Sequence, residues 1–132
     1  MKKLLTLAVC FSAMFVFYGC GDGNASQAAK EKKEAEIKEC MNNMTRLKKN
    51  IVRYANKNKK QVPRYWHDFE DEIETSVSKN CPVSDKAYTF WSGMALYDYM
   101  SKPILECKCH EGGVIKAYVN GETKFVPQEE NK

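Results

Sequence analysis

Cysteine and histidine are the residues of this chain with the most chemistry to offer, and there are six of the first and two of the second. Cys107-Lys108-Cys109-His110 places two thiols and an imidazole within one short stretch, and Cys40 and Cys81 add thiols upstream. A thiol whose pKa is lowered by a cationic neighbour becomes a nucleophile and a redox group. Thiolates and imidazole are also zinc ligands, and Cys81, Cys107, Cys109 and His110 make up one acceptable set. Local geometry argues against both uses. A redox motif normally opens a helix, whose N-terminus lowers the thiol pKa, whereas Ile104-Leu105-Glu106 leads into these cysteines like a strand. Consecutive strand side chains alternate faces, so Cys109 and His110 diverge unless the strand has ended. His67-Asp68 lacks a nucleophile with a visible role and reads as a cap or cover of a short helix. Glu70, Asp71, Glu72 and Glu74 cluster as the solvated face of that helix, near its positive N-terminus. No active site emerges from these residues, and none calls for a metal or a cofactor.

The elements that position them begin with an export signal. Met1-Lys2-Lys3 precedes an uncharged apolar run from Leu4 to Tyr18, and Gly19-Cys20 follows. A positive start, an apolar stretch of this length and a small residue before the cut define a secretory signal. The 15-residue run is shorter than the roughly 20 residues a spanning helix needs. Cys20 directly after the small residue resembles the bacterial lipobox, with Phe17 and Tyr18 departing from the residues that motif prefers. The resemblance implies a diacylglyceryl group on Cys20, with 1–19 removed and 20–30 left as a lipidated polar tether. Gly21 carries no inner-membrane retention signal, which favours the outer membrane if the cell has two. An exported domain with four further cysteines is expected to use them as structural disulfides.

Loss of Lys2 and Lys3 lowers the 21 basic side chains to 19, against 17 acidic ones. Lysines interleaved with glutamates give no electrostatic footprint for nucleic acid, so no DNA or RNA partner is expected. From Glu31 to Asn58 apolar residues recur at Ile37, Cys40, Met41, Met44, Leu47, Ile51, Tyr54 and Ala55. These spacings predict one long amphipathic helix. Val62-Pro63 ends it hereabouts, and a short helix over 66–77 is expected next. Ala87–Trp91, Leu96–Met100 and Ile104–Cys109 read as strands. Val114–Val119 and Glu122–Val126 flank Asn120-Gly121, a pair suited to a two-residue hairpin turn with positive φ at both central positions.

The expected fold class is α+β, one long amphipathic N-terminal helix packed on a small antiparallel sheet across 31–132. The series Cys40, Asn43, Leu47, Ile51, Tyr54, Pro63, Cys81-Pro82, Tyr88, Phe90 and Cys107-Lys108-Cys109-His110 resembles the soluble domain of type IV pilin-like proteins, in particular the type II secretion pseudopilins. The long apolar helix through which those proteins polymerise is absent, so filament formation does not carry over. Glu111, Glu122 and Glu129 are too sparse for the calcium site of some relatives. Cys107 and Cys109, two apart in a strand, lie about 6.6 Å apart at about 3.3 Å per residue, so a bridge between them is disfavoured. Of the pairings left open, the resemblance implies Cys81–Cys107 with Cys40–Cys109. The functional expectation is a non-enzymatic envelope lipoprotein, anchored through Cys20 and acting through contacts with envelope proteins, with a tie to secretion that rests on fold analogy alone. The rival expectation is a small redox or metal-binding lipoprotein using Cys107, Cys109 and His110.

Overall fold

The computed structural model describes residues 22–128, so Cys20, the signal and Glu129 lie outside the described residues. Helix α1 spans Asp22–Lys57. Residues 26–35 are exposed, and continuous packing begins only around Ile37 and Cys40. The helix therefore starts well before the apolar stripe, within the stretch expected to be a polar tether. Ala28, Ala29 and Ala35 have high intrinsic helix propensity, and Lys32 faces Glu36 one turn on at 3.9 Å. At about 1.5 Å per residue, the segment from Asp22 to Cys40 is a helical stalk about 27 Å long. No described helix is long and apolar enough to cross a membrane.

The stripe itself is as the periodicity predicts. Cys40, Met44, Leu47, Ile51 and Ala55 are all fully buried. The helix closes as the Lys60 amide donates to Ala55 O at 2.7 Å, with Lys59 and Lys60 at φ 53° and 64°. Two short 3-10 helices follow in the chain, η1 at Trp66–Glu72 and η2 at Leu96–Tyr99. Each is entered in the same way. Asp68 Oδ2 accepts from the Arg64 and Tyr65 amides at 2.9 Å, and Asp98 Oδ2 accepts from the Ala95 amide at 3.1 Å. This local capping overrides the strand reading of Leu96–Met100. The helix expected over 66–77 is likewise confined to η1, which Phe69 interrupts at φ −140° as its ring turns into the core.

The sheet is an antiparallel meander in the order β1-β2-β3-β4, formed by Thr89–Phe90, Pro103–Cys107, Gly113–Tyr118 and Thr123–Pro127. Leu105 lies opposite Ala117, and Cys107 opposite Ile115. All four are buried, and α1 packs across β2, β3 and β4. The β3–β4 turn sits where expected but is wider than the two-residue form, with the Tyr118 amide donating to Glu122 O at 2.7 Å. Only Gly121 takes a positive φ, 114°, and Asn120 does not. The α+β plan, one long helix and a four-stranded antiparallel sheet, is thus realised in the fold.

Candidate metal centre

Two elements, one connecting segment and one turn converge at the N-terminal end of the buried stripe. Cys40 comes from α1, Cys81 from the segment after η1, Cys107 from the last position of β2, and His110 from the turn beyond it. Their ligand atoms all lie within 4.8 Å of one another. Cys40, Cys81 and Cys107 are at most 1% exposed, and His110 is half-buried. Cys81 Sγ and His110 Nε2 are 3.6 Å apart. Zinc–sulfur bonds of about 2.3 Å and zinc–nitrogen bonds of about 2.0–2.1 Å, held at a tetrahedral angle, require a separation of about 3.6 Å. An S–H···N hydrogen bond would satisfy that one distance as well. It would not require two more buried thiols at the same point.

The expectation that these residues call for no metal is thus countered by a cluster, and its members differ in one residue from the set considered in sequence. Cys109 stands outside the cluster, half-buried, and Cys40 occupies its place. The alternation that separates Cys109 from His110 in a strand does not apply, because β2 ends at Cys107 and the chain turns. His110 thereby swings back over Cys81. The disulfide framework is not borne out either. Cys40, Cys81, Cys107 and Cys109 are all free thiols, so neither Cys81–Cys107 nor Cys40–Cys109 is formed. The physical reason lies in the convergence, since three of these sulfurs share a single centre with an imidazole and do not separate into two pairs.

The electrostatics suit a cation. The Cys107 thiol is held far above its usual pKa, first by its hydrogen bond with Cys40 and then by burial. A buried thiolate without a compensating positive charge is costly, and a divalent metal supplies that charge by displacing the protons. Burial lowers the His110 pKa, opposed by the Glu36 carboxylate. That favours the neutral imidazole, the form that ligates. Outside the ring lies a cavity of about 230 Å³ lined by Lys33, Glu36, Val83, Cys109, His110 and Glu111. Lys33 and Glu111 pair there, joining the stalk to the turn. His110 is the ligand nearest solvent.

The remaining candidates separate from this site. His67 is exposed and stacks on Tyr65 at 5.3 Å, while Asp68 serves η1 as described. Glu70 pairs with Lys79, Glu72 with Lys57 and Glu74 with Arg46. They form a charged surface rather than a carboxylate pair. Two further residues of the centre, Tyr88 and Asn43, have no role assigned from sequence. Tyr88 Oη stands 3.5 Å from Cys40 Sγ, and Asn43 Nδ2 stands 2.9 Å from that hydroxyl. Asn43 follows Cys40 by about one helical turn, which is the only local signal of the link. No family model, no curated protein and no solved structure matches the chain.

Proposed function

We propose that the chain is a membrane-tethered envelope lipoprotein whose α+β domain binds one zinc ion through Cys40, Cys81, Cys107 and His110, and that it acts through contacts with envelope proteins. The observation that carries the metal assignment is the convergence of four ligand atoms within 4.8 Å, three of them buried sulfurs. A tetrahedral site filled by four protein ligands leaves no position for a substrate, so the metal is structural. The pilin-like relationship and the tie to a secretion system belong to the same proposal, supported by the motif series and by the single helix laid on an antiparallel sheet. Anchoring rests on the signal and Cys20. A mature N-terminus carrying an acylated Cys20 is the expected mass-spectrometric result, and an unmodified cysteine or a cut elsewhere removes the tether.

The metal assignment is tested on the detergent-solubilised protein purified under reducing conditions. One zinc per chain is expected, and cobalt in its place should give tetrahedral bands with sulfur-to-cobalt charge transfer. Cys40→Ala should abolish them and Cys109→Ala should leave them intact. The reverse pattern would point instead to the set Cys81, Cys107, Cys109 and His110, and disulfides mapped at Cys40, Cys81 or Cys107 in the native protein would exclude the site. The redox reading using Cys107 and Cys109 predicts no cobalt bands and a thiol–disulfide exchange activity that Cys109→Ala removes.

A further inference from the structure

The direction of one hydrogen bond near the centre follows from its neighbours. The Ser78 amide donates to an oxygen of the Asn43 side chain at 2.9 Å. A main-chain N–H can only donate, so Asn43 Oδ1 faces Ser78 and the carboxamide is fixed. Nδ2 then has two protons to place. One goes to Ser78 O at 2.8 Å and the other to Tyr88 Oη at 2.9 Å. Because Nδ2 is a donor only, the Tyr88 oxygen accepts, and its own proton is left over. Tyr88 is 3% exposed, which keeps bulk water from taking that proton. The only other partner of the hydroxyl among the described residues is Cys40 Sγ at 3.5 Å. The sulfur must therefore accept.

We propose that the Tyr88 hydroxyl donates to the Cys40 sulfur as a metal-bound thiolate, which makes Tyr88 a positioning residue of the centre and Asn43 the group that orients it. This rests on the zinc reading above. A neutral thiol is a poor acceptor, whereas a bond to an ionised acceptor is roughly twice as strong. Three thiolates and one neutral imidazole around a divalent cation leave one negative charge in a buried site. Among the three sulfurs, Cys40 is the one that receives a hydroxyl donor from outside the ligand set, and that donor draws off part of the charge. The chain Ser78–Asn43–Tyr88–Cys40 also ties the segment carrying Cys81 to the helix carrying Cys40. Partners of this kind orient ligands and tune affinity.

Tyr88→Phe removes the hydroxyl and keeps the ring. Zinc affinity, measured by competition with a chromophoric chelator, should fall about 10–100-fold. The cobalt-substituted variant should retain a three-thiolate spectrum with its charge-transfer band moved to lower energy, as expected of a thiolate that has lost a donor. Alkylation of Cys40 in the metal-loaded protein should accelerate. Asn43→Asp offers a second route, since a carboxylate would accept a hydrogen bond from the Tyr88 hydroxyl and turn that donor away from sulfur. The cobalt band of Asn43→Asp should therefore move in the same direction as that of Tyr88→Phe. A purely structural role would lower stability without moving the band, and unchanged affinity and band in Tyr88→Phe would overturn the proposal. Absence of cobalt bands in the unsubstituted protein would instead bring down the zinc reading, and this proposal with it.

Discussion

Removal of zinc by a chelator under reducing conditions is expected to lower the melting temperature by more than about 20 °C, and readdition of the metal to restore it. The proposed centre joins α1, the segment after η1 and the end of β2, so one ion would close contacts between Cys40 and Cys107, which are far apart in the chain. Structural zinc in small peptides contributes an apparent binding energy of about 10–16 kcal/mol, because no preformed site exists in the unfolded chain. The total stability of a domain this size is only about 5–15 kcal/mol. Part of the fold has support of its own, since Met44, Leu47, Ile51, Ile104, Leu105 and Ile115 are fully buried without the metal's help. A loss of several kcal/mol is therefore the appropriate scale, and each corresponds to about 4–8 °C in a small domain. Reductant without chelator separates this from the disulfide framework. Disulfide stapling predicts unfolding on reduction alone, whereas a zinc centre predicts no change until the metal is withdrawn. A melting temperature indifferent to chelator would leave the convergent cysteines without a structural role.

The features legible from sequence were those set by a local period. The stripe Cys40, Met44, Leu47, Ile51 and Ala55 follows from the turn of the α-helix, and the β3–β4 hairpin from the break at Asn120-Gly121. Leu96–Met100 misled because aromatic and apolar residues with a strand-like look belong to a 3-10 turn capped by Asp98. The stalk was concealed by small and polar residues without apolar spacing, since an exposed helix needs none. At the centre, the residue types were legible and the membership was not. Cys40 lies on the buried face of α1, but which residue of the sheet it meets depends on how helix and strand cross. That β2 ends at Cys107, freeing His110 to turn back, is likewise a tertiary outcome. Tyr88 and Asn43 acquire their connection to Cys40 only once the segment carrying Cys81 is folded against the helix.

Phe69→Ala is expected to cost about 3–5 kcal/mol, the range for truncating a buried phenylalanine. Phe69 is 1% exposed. Its ring lies 6.0 Å from Tyr54, 5.6 Å from Trp66 and 6.1 Å from Phe90, and Trp66 and Phe90 approach to 4.7 Å. Four aromatics thus join the C-terminal part of α1 to η1 and β1. Alanine would remove the ring they share and leave a cavity that rigid neighbours fill poorly. At about 4–8 °C per kcal/mol, the melting temperature should fall by roughly 12–40 °C. Tyr54 lies fourteen residues beyond Cys40, or about 21 Å along the helix at about 1.5 Å per residue. The aromatic cluster and the proposed metal centre would therefore hold α1 at two separate places. Effects at sites this far apart with no shared partner are close to additive. The cobalt spectrum of folded Phe69→Ala should accordingly match that of the unsubstituted protein, while amide exchange near Tyr54 accelerates. A melting temperature lowered by only a few degrees would show that the cluster does not hold the helix. A cobalt spectrum altered in the folded variant would show instead that the two attachments form one cooperative unit, in which the ring of Phe69 helps to set the geometry of ligands at the far end of the stripe.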